Sequence, residues 1–215
     1  MVIKVLIVDD HAVVRDGLTM ILESQSDIAV IGQAGDGREA IAMAEALKPN
    51  VVVMDITMPE LNGIEAARLI SREQPATRIV ILSMHDTLEH IYRALQAGAR
   101  GYLLKESAGA EVTDAVRTVM RGHRYFGRGS RLPSDMHHSA CADLPRSPLD
   151  SLSQREREVL QLVVEGKKSS EIAEILSLSP KSIETYRSRL MVKLGITNIP
   201  SLVKFALLHG VTPAK

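Results

Sequence analysis

Residues 51–55 of the chain read VVVMD, four apolar side chains in a row that end on an aspartate. The run shows no alternation of polar and apolar residues, as expected of a central strand that helices cover on both faces. Three other apolar runs also end on a polar residue, and segments with the apolar spacing of helices separate them. These runs are VLIVDD, RIVILS and GYLLK, which end on Asp9 and Asp10, on Ser83 and on Lys105.

Alternation of strands and helices predicts a parallel sheet with helices on both faces. Ligands of such sheets bind at the carboxyl ends of the strands, because these ends meet at one edge. The polar residues that end the runs should therefore lie close together, although they are far apart in sequence. The five strands are expected near residues 2–8, 28–33, 51–55, 79–83 and 101–104.

The expected cluster has the chemistry of a site for a divalent cation and a phosphoryl group. Three crowded carboxylates repel one another unless a cation relieves them, and Mg²⁺ prefers oxygen ligands of this kind. A carboxylate that faces the metal can accept a phosphoryl group as an aspartyl phosphate. Lys105 can neutralise the phosphoryl oxygens, and Ser83 can donate a hydrogen bond to one of them.

Length and composition indicate two globular domains rather than one. The chain has 215 residues, of which 45% are hydrophobic and 24% charged, enough apolar material for two cores. No apolar run approaches the ~20 residues of a membrane helix, and the acidic residues that follow the first apolar run argue against a signal peptide. The single cysteine, Cys141, cannot form an internal disulfide, so we expect a cytoplasmic protein without membrane contact.

The charges are divided unevenly along the chain. Residues 1–120 carry 17 acidic and 11 basic side chains, a net charge of −6, whereas residues 151–215 carry 6 and 10, a net charge of +4. A polyanion would therefore bind the second half. The opposite signs also suggest the hypothesis that the acidic half covers the basic surface until a signal releases it.

The second half is predicted to be a small all-α domain. The stretch from about residue 122 to 150 is rich in Gly, Pro, Ser and Asp, which indicates a linker, and its His137, His138 and Cys141 are interpreted as linker residues rather than metal ligands. Beyond it, Ser153 and Glu156 form a capping box that starts a helix. Four helices are predicted, from Ser153 to Gly166, over residues 169–176, from Ser179-Pro180 to Gly195, and over residues 199–209.

Short helices joined by tight turns, with a basic third helix, indicate a helix-turn-helix. At 100° per residue, Ile183, Tyr186, Leu190 and Leu194 share one stripe of this third helix, which predicts its core face. The opposite face suits the bases of the major groove, and the cations around it suit phosphates. Residues expected to bind DNA are Lys167, Lys168, Ser169, Ser170, Lys181, Glu184, Thr185, Arg187, Ser188, Arg189 and Lys193.

Among these residues, three are assigned to the bases. Glu184 can accept a hydrogen bond from the exocyclic amine of cytosine, and Thr185 or Ser188 can contact a base edge or a thymine methyl. Lys167 and Lys168, at the start of the preceding helix, are assigned to phosphates.

The first 120 residues resemble the receiver domain of bacterial two-component response regulators. The resemblance rests on Asp9-Asp10, on Asp55 within MDITMPELNG, on Ser83 within ILSMH and on Lys105 within GARGYLLK. It implies a five-stranded, parallel, doubly wound (flavodoxin-like) domain in which a sensor histidine kinase phosphorylates Asp55. It further implies that Asp10, Asp55 and the carbonyl of Thr57 hold Mg²⁺, that Asp9 acts mainly through water, and that Ser83 and Tyr102 are the switch pair.

Residues 152–210 resemble the LuxR-type helix-turn-helix of NarL/FixJ-type regulators. The similarity runs through LSQREREVLQLVVEGKKSSEIAEILSLSPKSIETYRSRLMVKLGI. It implies that the third of the four helices reads DNA, and that the fourth pairs two subunits on a two-fold site. The predicted domains are thus a receiver over residues 1–121, a linker over 122–150 and a DNA-binding domain over 151–215.

The complete prediction is a cytoplasmic transcription factor, not an enzyme, that dimerises and binds promoter DNA when Asp55 is phosphorylated. RNA polymerase is a further candidate partner. One alternative is an aspartyl-phosphate hydrolase, but such enzymes typically carry a second acid two residues after the nucleophile, where this chain has Thr57. Another is a receiver that passes phosphate onward without touching DNA, against which the helix-turn-helix motif argues.

Overall fold

The computed structural model describes residues 2–128 and 147–212. Its first part is a parallel sheet in the strand order β2-β1-β3-β4-β5-β6. This order places β3 at the centre, and its five residues are all buried. The strands are β1 (Ile3–Val8), β2 (Ile28–Ala34), β3 (Val51–Asp55), β4 (Arg78–Ser83), β5 (Gly101–Leu104) and β6 (Tyr125–Phe126).

Five helices cover the two faces of this sheet and separate its strands. Two apolar cores form, because alternate residues of each strand point to opposite faces. In β3, Val52 and Met54 pack in one core, and Val51 and Val53 in the other. The helices are α1 (Ala12–Glu23), α2 (Gly37–Leu47), α3 (Gly63–Glu73), α4 (Leu88–Gln96) and α5 (Lys105–Met120).

The doubly wound fold predicted from the sequence is confirmed, and the five predicted strands lie within one residue of the observed ones. The sixth strand was not predicted. Tyr125 and Phe126 pair with Gly101 and Tyr102 in parallel register, in a stretch that the composition assigned to the linker. Two residues are too few to show the alternation that marks a strand.

The second part of the chain is all-helical, as predicted. A short 3₁₀ helix (Pro148–Ser151) precedes α6 (Gln154–Val164), α7 (Ser169–Leu176), α8 (Pro180–Leu194) and α9 (Ile199–Leu208). The capping box is present, because Ser153 Oγ accepts from the amide of Glu156 at 3.3 Å and Glu156 Oε2 accepts from the amide of Ser153 at 2.7 Å. The four helices surround one apolar core.

The predicted core stripe of α8 is confirmed. Ile183 and Leu190 are fully buried, and Tyr186 and Leu194 pack against them. Within the described residues no single helix is long and apolar enough to cross a membrane; α8 and α9 reach that length and composition only as a pair, which is bent by 68°. His137, His138 and Cys141 lie outside the described residues.

Candidate functional site

The fold brings the predicted acidic cluster together at the carboxyl edge of the sheet. Asp9 and Asp55 end neighbouring strands β1 and β3 and are almost completely buried. The Lys105 ammonium lies between them, 2.7 Å from Asp9 Oδ2 and 2.8 Å from Asp55 Oδ2. Asp10 follows at the rim of the pocket and is partly exposed. Residues up to 96 positions apart thus share one site.

The environment of Asp55 disfavours its charge. Burial raises the pKa of this carboxyl to about 6, although the ammonium of Lys105 acts in the opposite direction and the carboxylate of Asp9 adds to the rise. The amide of Thr57 also donates a hydrogen bond to Asp55, which stabilises the carboxylate. At neutral pH Asp55 is therefore mostly ionised, as a nucleophile must be.

The loop after β3 is held close to Asp55 by a glycine. A Cβ atom at Gly63 would lie 1.8 Å from the carbonyl oxygen of Asp55, so no other residue fits at the start of α3 without a shift of the backbone. The amide of Gly63 donates to the carbonyl of Ile56 at 2.8 Å. These contacts fold residues 56–62 back over the end of the strand.

The charges of the pocket fit a divalent cation. One carboxylate oxygen each of Asp9, Asp10 and Asp55 and a ring nitrogen of His11 lie within 4.8 Å of one another. The three carboxylates carry three negative charges, and Lys105 compensates one of them. Buried charges of one sign need such compensation, and oxygen ligands at this spacing suit Mg²⁺. The residues present are therefore compatible with the magnesium site predicted from the sequence.

His11 belongs to this pocket and was missed in the sequence analysis. Its Nδ1 lies 2.7 Å from Asp10 Oδ1 and 3.2 Å from Asp9 Oδ1, and its amide donates to Asp9 Oδ1 at 2.9 Å. Its position directly after two aspartates was the signal that could have found it.

The predicted switch residues both contact the backbone of His85. Ser83 is buried at the end of β4, and its Oγ accepts a hydrogen bond from the amide of His85 at 2.9 Å. The Tyr102 ring is buried in β5, and its hydroxyl donates to the His85 carbonyl at 2.7 Å. Burial raises the pKa of Tyr102 far above its usual range, so its hydroxyl keeps its proton. The ring of Tyr102 already points inward in this structure.

The outer face of α8 is exposed, as a DNA-reading face must be. The polar and basic residues predicted on this face include Lys181, Thr185, Ser188 and Arg189, and all four are exposed, as is the apolar Val192 beside them. Thr185 Oγ1 donates to the carbonyl of Lys181 at 3.0 Å, which leaves its methyl group and its two lone pairs for a base.

Four other predicted DNA contacts, Ser169, Glu184, Arg187 and Lys193, have partners within the domain. Glu184 accepts a hydrogen bond from the hydroxyl of Ser169 and lies 3.9 Å from Arg187. Lys193 Nζ lies 2.7 Å from Oε2 of the buried Glu156, so this lysine supports the capping box of α6. Their assignment to DNA stays a prediction, and DNA would have to compete with these contacts.

Comparison with known families agrees with both halves of the chain. The family described as response regulator receiver domain matches residues 5–117, and the family of bacterial regulatory proteins, luxR family, matches residues 150–206. The chain is a two-component response regulator with a LuxR-type DNA-binding domain. The resemblances stated for the two halves are therefore confirmed.

Relatives of this response regulator match it over nearly its whole length. It is 39% identical over 209 residues to the transcriptional regulatory protein MctR of Rhizobium johnstonii, covering 97% of this chain and 95% of MctR. It is 38% identical over 214 residues to the response regulator GacA of Pseudomonas aeruginosa, covering 99% of each chain.

Solved structures show the same two-part architecture. The RcsB response regulator of Salmonella typhimurium superposes with a TM-score of 0.65 at 28% identity, over 99% of both chains. A structure of an RcsB–DNA complex gives a TM-score of 0.58, also at 28% identity, over 99% of this chain and 100% of that one.

In this regulator the loop that follows β3 contacts α6 of the C-terminal domain, which the sequence analysis did not predict. Gln161 is completely buried. Its Oε1 accepts hydrogen bonds from the backbone amide of Asn62 at 2.8 Å and from the Asn62 side chain at 3.0 Å. Its Nε2 donates to the carbonyl of Met58 at 2.8 Å. Beside it, Arg157 pairs with the buried Glu65 at 2.6 Å. We call these residues the α6 contact.

A second contact joins α4 to the end of α9. Arg93, almost fully buried, donates to the carbonyl of His209. The Nδ1 of His209 lies 2.7 Å from Glu89 Oε1, which also accepts from the hydroxyl of Ser147 at 2.6 Å. We call these residues the α9 contact.

The two contacts contradict the hypothesis that the receiver covers the recognition surface. The receiver touches α6, the end of α9 and Lys167, which lies 3.5 Å from Glu60, whereas the outer face of α8 is open. The hypothesis is therefore wrong for the outer face of α8, whereas Lys167, a predicted phosphate contact, is paired with Glu60 of the receiver. Net charges of opposite sign do not determine which faces of the two domains meet. In this structure the contact is made by polar and ionic pairs at particular positions.

Proposed function

We propose that this regulator accepts a phosphoryl group on Asp55 from a sensor histidine kinase and thereby controls dimerisation and binding to promoter DNA. The observation that carries the proposal is the burial of Asp55 beside Asp9 and the Lys105 ammonium, 2.8 Å away. In this proposal the carboxylate of Asp55 itself accepts the phosphoryl group, and the receiver does not turn over a separate substrate.

The proposed step is a phosphoryl transfer between two side chains. An Oδ atom of Asp55 forms a bond to phosphorus while the P–N bond of the kinase phosphohistidine breaks. The leaving imidazole nitrogen keeps the electron pair of that bond and later takes a proton from water. Asp9, Asp10, Asp55 and the carbonyl of Thr57 would hold Mg²⁺, which when bound supplies positive charge to the phosphoryl oxygens.

The remaining site residues act on the phosphoryl oxygens. The Lys105 ammonium moves from its present ion pairs with Asp9 and Asp55 to pair with one phosphoryl oxygen. Ser83 turns its hydroxyl toward another phosphoryl oxygen. The added charge of about −1.5 to −2 then shifts the populations of two arrangements rather than creating a new one. The hydroxyls of Ser83 and Tyr102 are linked through the backbone of His85, to which both are hydrogen-bonded.

The proposed partners follow from the two domains. They are a sensor histidine kinase at the receiver, double-stranded promoter DNA at α8, a second copy of the chain when phosphorylated, and RNA polymerase at the promoter. The chain contains only the single cysteine, and we propose that it works in the cytoplasm.

Selection of DNA fragments tests the whole proposal. Genomic fragments bound by the protein are recovered with and without acetyl phosphate and Mg²⁺ and then sequenced. We expect a shared sequence with two-fold symmetry, enriched more strongly when the phosphodonor is present. Recovery of fragments without a shared sequence, both with and without the phosphodonor, would contradict the proposal.

Two substitutions separate base reading from phosphate binding. Thr185→Ala should relax sequence preference by about 1 kcal/mol, or roughly fivefold, since it removes the side chain that faces a base. Lys168→Ala should weaken binding to specific and random DNA alike and lower the salt dependence by about one charge. Titration of both DNAs by fluorescence anisotropy measures this, and equal losses for both variants on both DNAs would contradict the assignment.

A phosphohydrolase is the second function considered. Asp55 is followed two positions later by Thr57, which cannot protonate a leaving group as an acid does. We therefore expect no steady turnover of p-nitrophenyl phosphate by the wild-type protein, and steady turnover would favour the enzyme.

A further inference from the structure

An apolar side chain without a place in the core lies on the outer face of α8. Among the large apolar residues that the structure describes in the C-terminal domain, Val192 is the most exposed, at 81%. It lies within α8, two residues before the helix ends. Valine is also a weaker helix former than alanine, lysine or glutamate. Neither packing of the core nor stability of the helix therefore explains a valine at this position.

Val192 continues the row of side chains that faces the DNA. It follows Thr185 by seven positions, which is nearly two full turns, so the two side chains differ in direction by only about 20°. Ser188 and Arg189, three and four positions after Thr185, are exposed on the same side. A helix that lies in the major groove can read bases with residues at these same offsets of three, four and seven. By position, Val192 therefore belongs to the DNA-reading face.

The surface around Val192 is apolar at its centre and carries cations at its sides. A shallow groove of about 320 Å³ has an entirely apolar exposed wall, formed by Val192 and parts of Ser188, Arg189 and Lys193. The ammonium of Lys193 is held at the start of α6, 2.7 Å from Glu156 Oε2. The apolar group that base pairs present in the major groove is the 5-methyl group of thymine. The cations at the sides suit the phosphates that border that groove.

We propose that Val192 is a specificity-determining residue that contacts the 5-methyl group of a thymine, about three base pairs from the base that Thr185 contacts. The inference rests on the proposed binding of promoter DNA by α8. Seven residues of helix rise about 10 Å, and successive base pairs rise about 3.4 Å each. The contact removes two apolar groups from water together. It therefore favours thymine over cytosine, which has no methyl group at this place.

Removal of the methyl group from the DNA tests the contact with the full-length protein. The probe is a fluorescent duplex of the shared sequence recovered by DNA selection, in which each thymine in turn is replaced by deoxyuridine. Deoxyuridine keeps the hydrogen-bonding groups of thymine and lacks only the methyl. At one position we expect the affinity of the wild-type protein to fall about fourfold, the factor for one methyl-sized group that is no longer buried. Fluorescence anisotropy measures the affinities.

Substitution of Val192 identifies the side chain that makes the contact. Val192→Ala should bind the thymine duplex about fourfold more weakly than wild type. It should lose nothing further when deoxyuridine replaces that one thymine, because both changes remove the same contact. Val192→Ile keeps a branched apolar side chain and should retain the preference for thymine, and Thr185→Ala should retain it as well.

Val13→Ala is the matched control, because Val13 is 84% exposed on α1 of the receiver. It makes the same chemical change away from α8 and should bind every duplex as the wild-type protein does. Thermal melts separate binding from folding. Val192→Ala should be at least as stable as wild type, since alanine is the better helix former.

The outcomes distinguish this inference from the proposed function. If the wild-type protein recovers no shared sequence, the proposed function fails, and the role of Val192 fails with it. If a sequence is recovered but no deoxyuridine position distinguishes wild type from Val192→Ala, only the role of Val192 is overturned. An equal loss for Val192→Ala on specific and random DNA would also overturn it, because such a loss assigns the side chain to the DNA backbone.

Discussion

Asp55→Ala should take up no phosphoryl group from acetyl phosphate and Mg²⁺, whereas the wild-type protein should gain the mass of one. The carboxylate of Asp55 is the only one of the cluster that ends the central strand and meets Lys105 at 2.8 Å beside Asp9. Alanine leaves no nucleophile at this place. Intact-protein mass spectrometry measures the gain directly.

Asp114→Ala is the matched control for this experiment. Asp114 is an exposed carboxylate on α5, outside the acidic pocket, so its loss should leave phosphorylation unchanged. A phosphoryl gain by Asp55→Ala equal to that of wild type would place the acceptor elsewhere, with Asp10 as the next carboxylate to test.

The acidic site could be predicted from sequence because it depends on one general rule. Parallel strands bring their carboxyl ends to one edge, so Asp9, Asp55 and Lys105 had to meet once the strands were recognised from their apolar runs. Strand bounds were also accurate, because four of the five apolar runs end at a charged or polar residue.

The contacts between the domains could not be predicted in the same way. Asn62 and Gln161 lie 99 positions apart, and Glu65 and Arg157 lie 92 apart. No periodicity links such positions, and a buried glutamine looks in sequence like any polar residue of an amphipathic helix. Charge asymmetry predicted that the halves attract each other, yet it placed the contact on the wrong face of the DNA-binding domain.

The α6 contact places the C-terminal domain on the loop that follows Asp55. Residues 56–62 directly follow Asp55. The close approach of Gly63 holds them against the carbonyl group of Asp55. Met58 and Asn62 bind Gln161 from this loop, and Glu60 donates through its amide to Glu165 at 3.0 Å. The loop that follows Asp55 is therefore in direct contact with α6.

Gln161→Leu should release the domains from each other. Leucine has a similar volume but no polar atoms, so a docked variant would leave the two donors of Asn62 and the carbonyl of Met58 without partners. Each orphaned group costs about 1 kcal/mol or more, which shifts the docking equilibrium by at least about 3 kcal/mol, roughly 10²-fold. Hydrogen exchange measured by mass spectrometry should therefore show much faster exchange over residues 56–63.

Gln154→Leu provides the control on the same helix, because among the described residues the Gln154 side chain donates only to Glu158 of the C-terminal domain, at 3.0 Å. It should leave exchange over residues 56–63 as in wild type. Unchanged exchange in Gln161→Leu would mean that the ionic pair of Glu65 and Arg157, together with the α9 contact, keeps the domains docked without the glutamine. Faster exchange confined to Gln161→Leu would instead place the control of docking one loop away from Asp55, where a phosphoryl group can act on it directly.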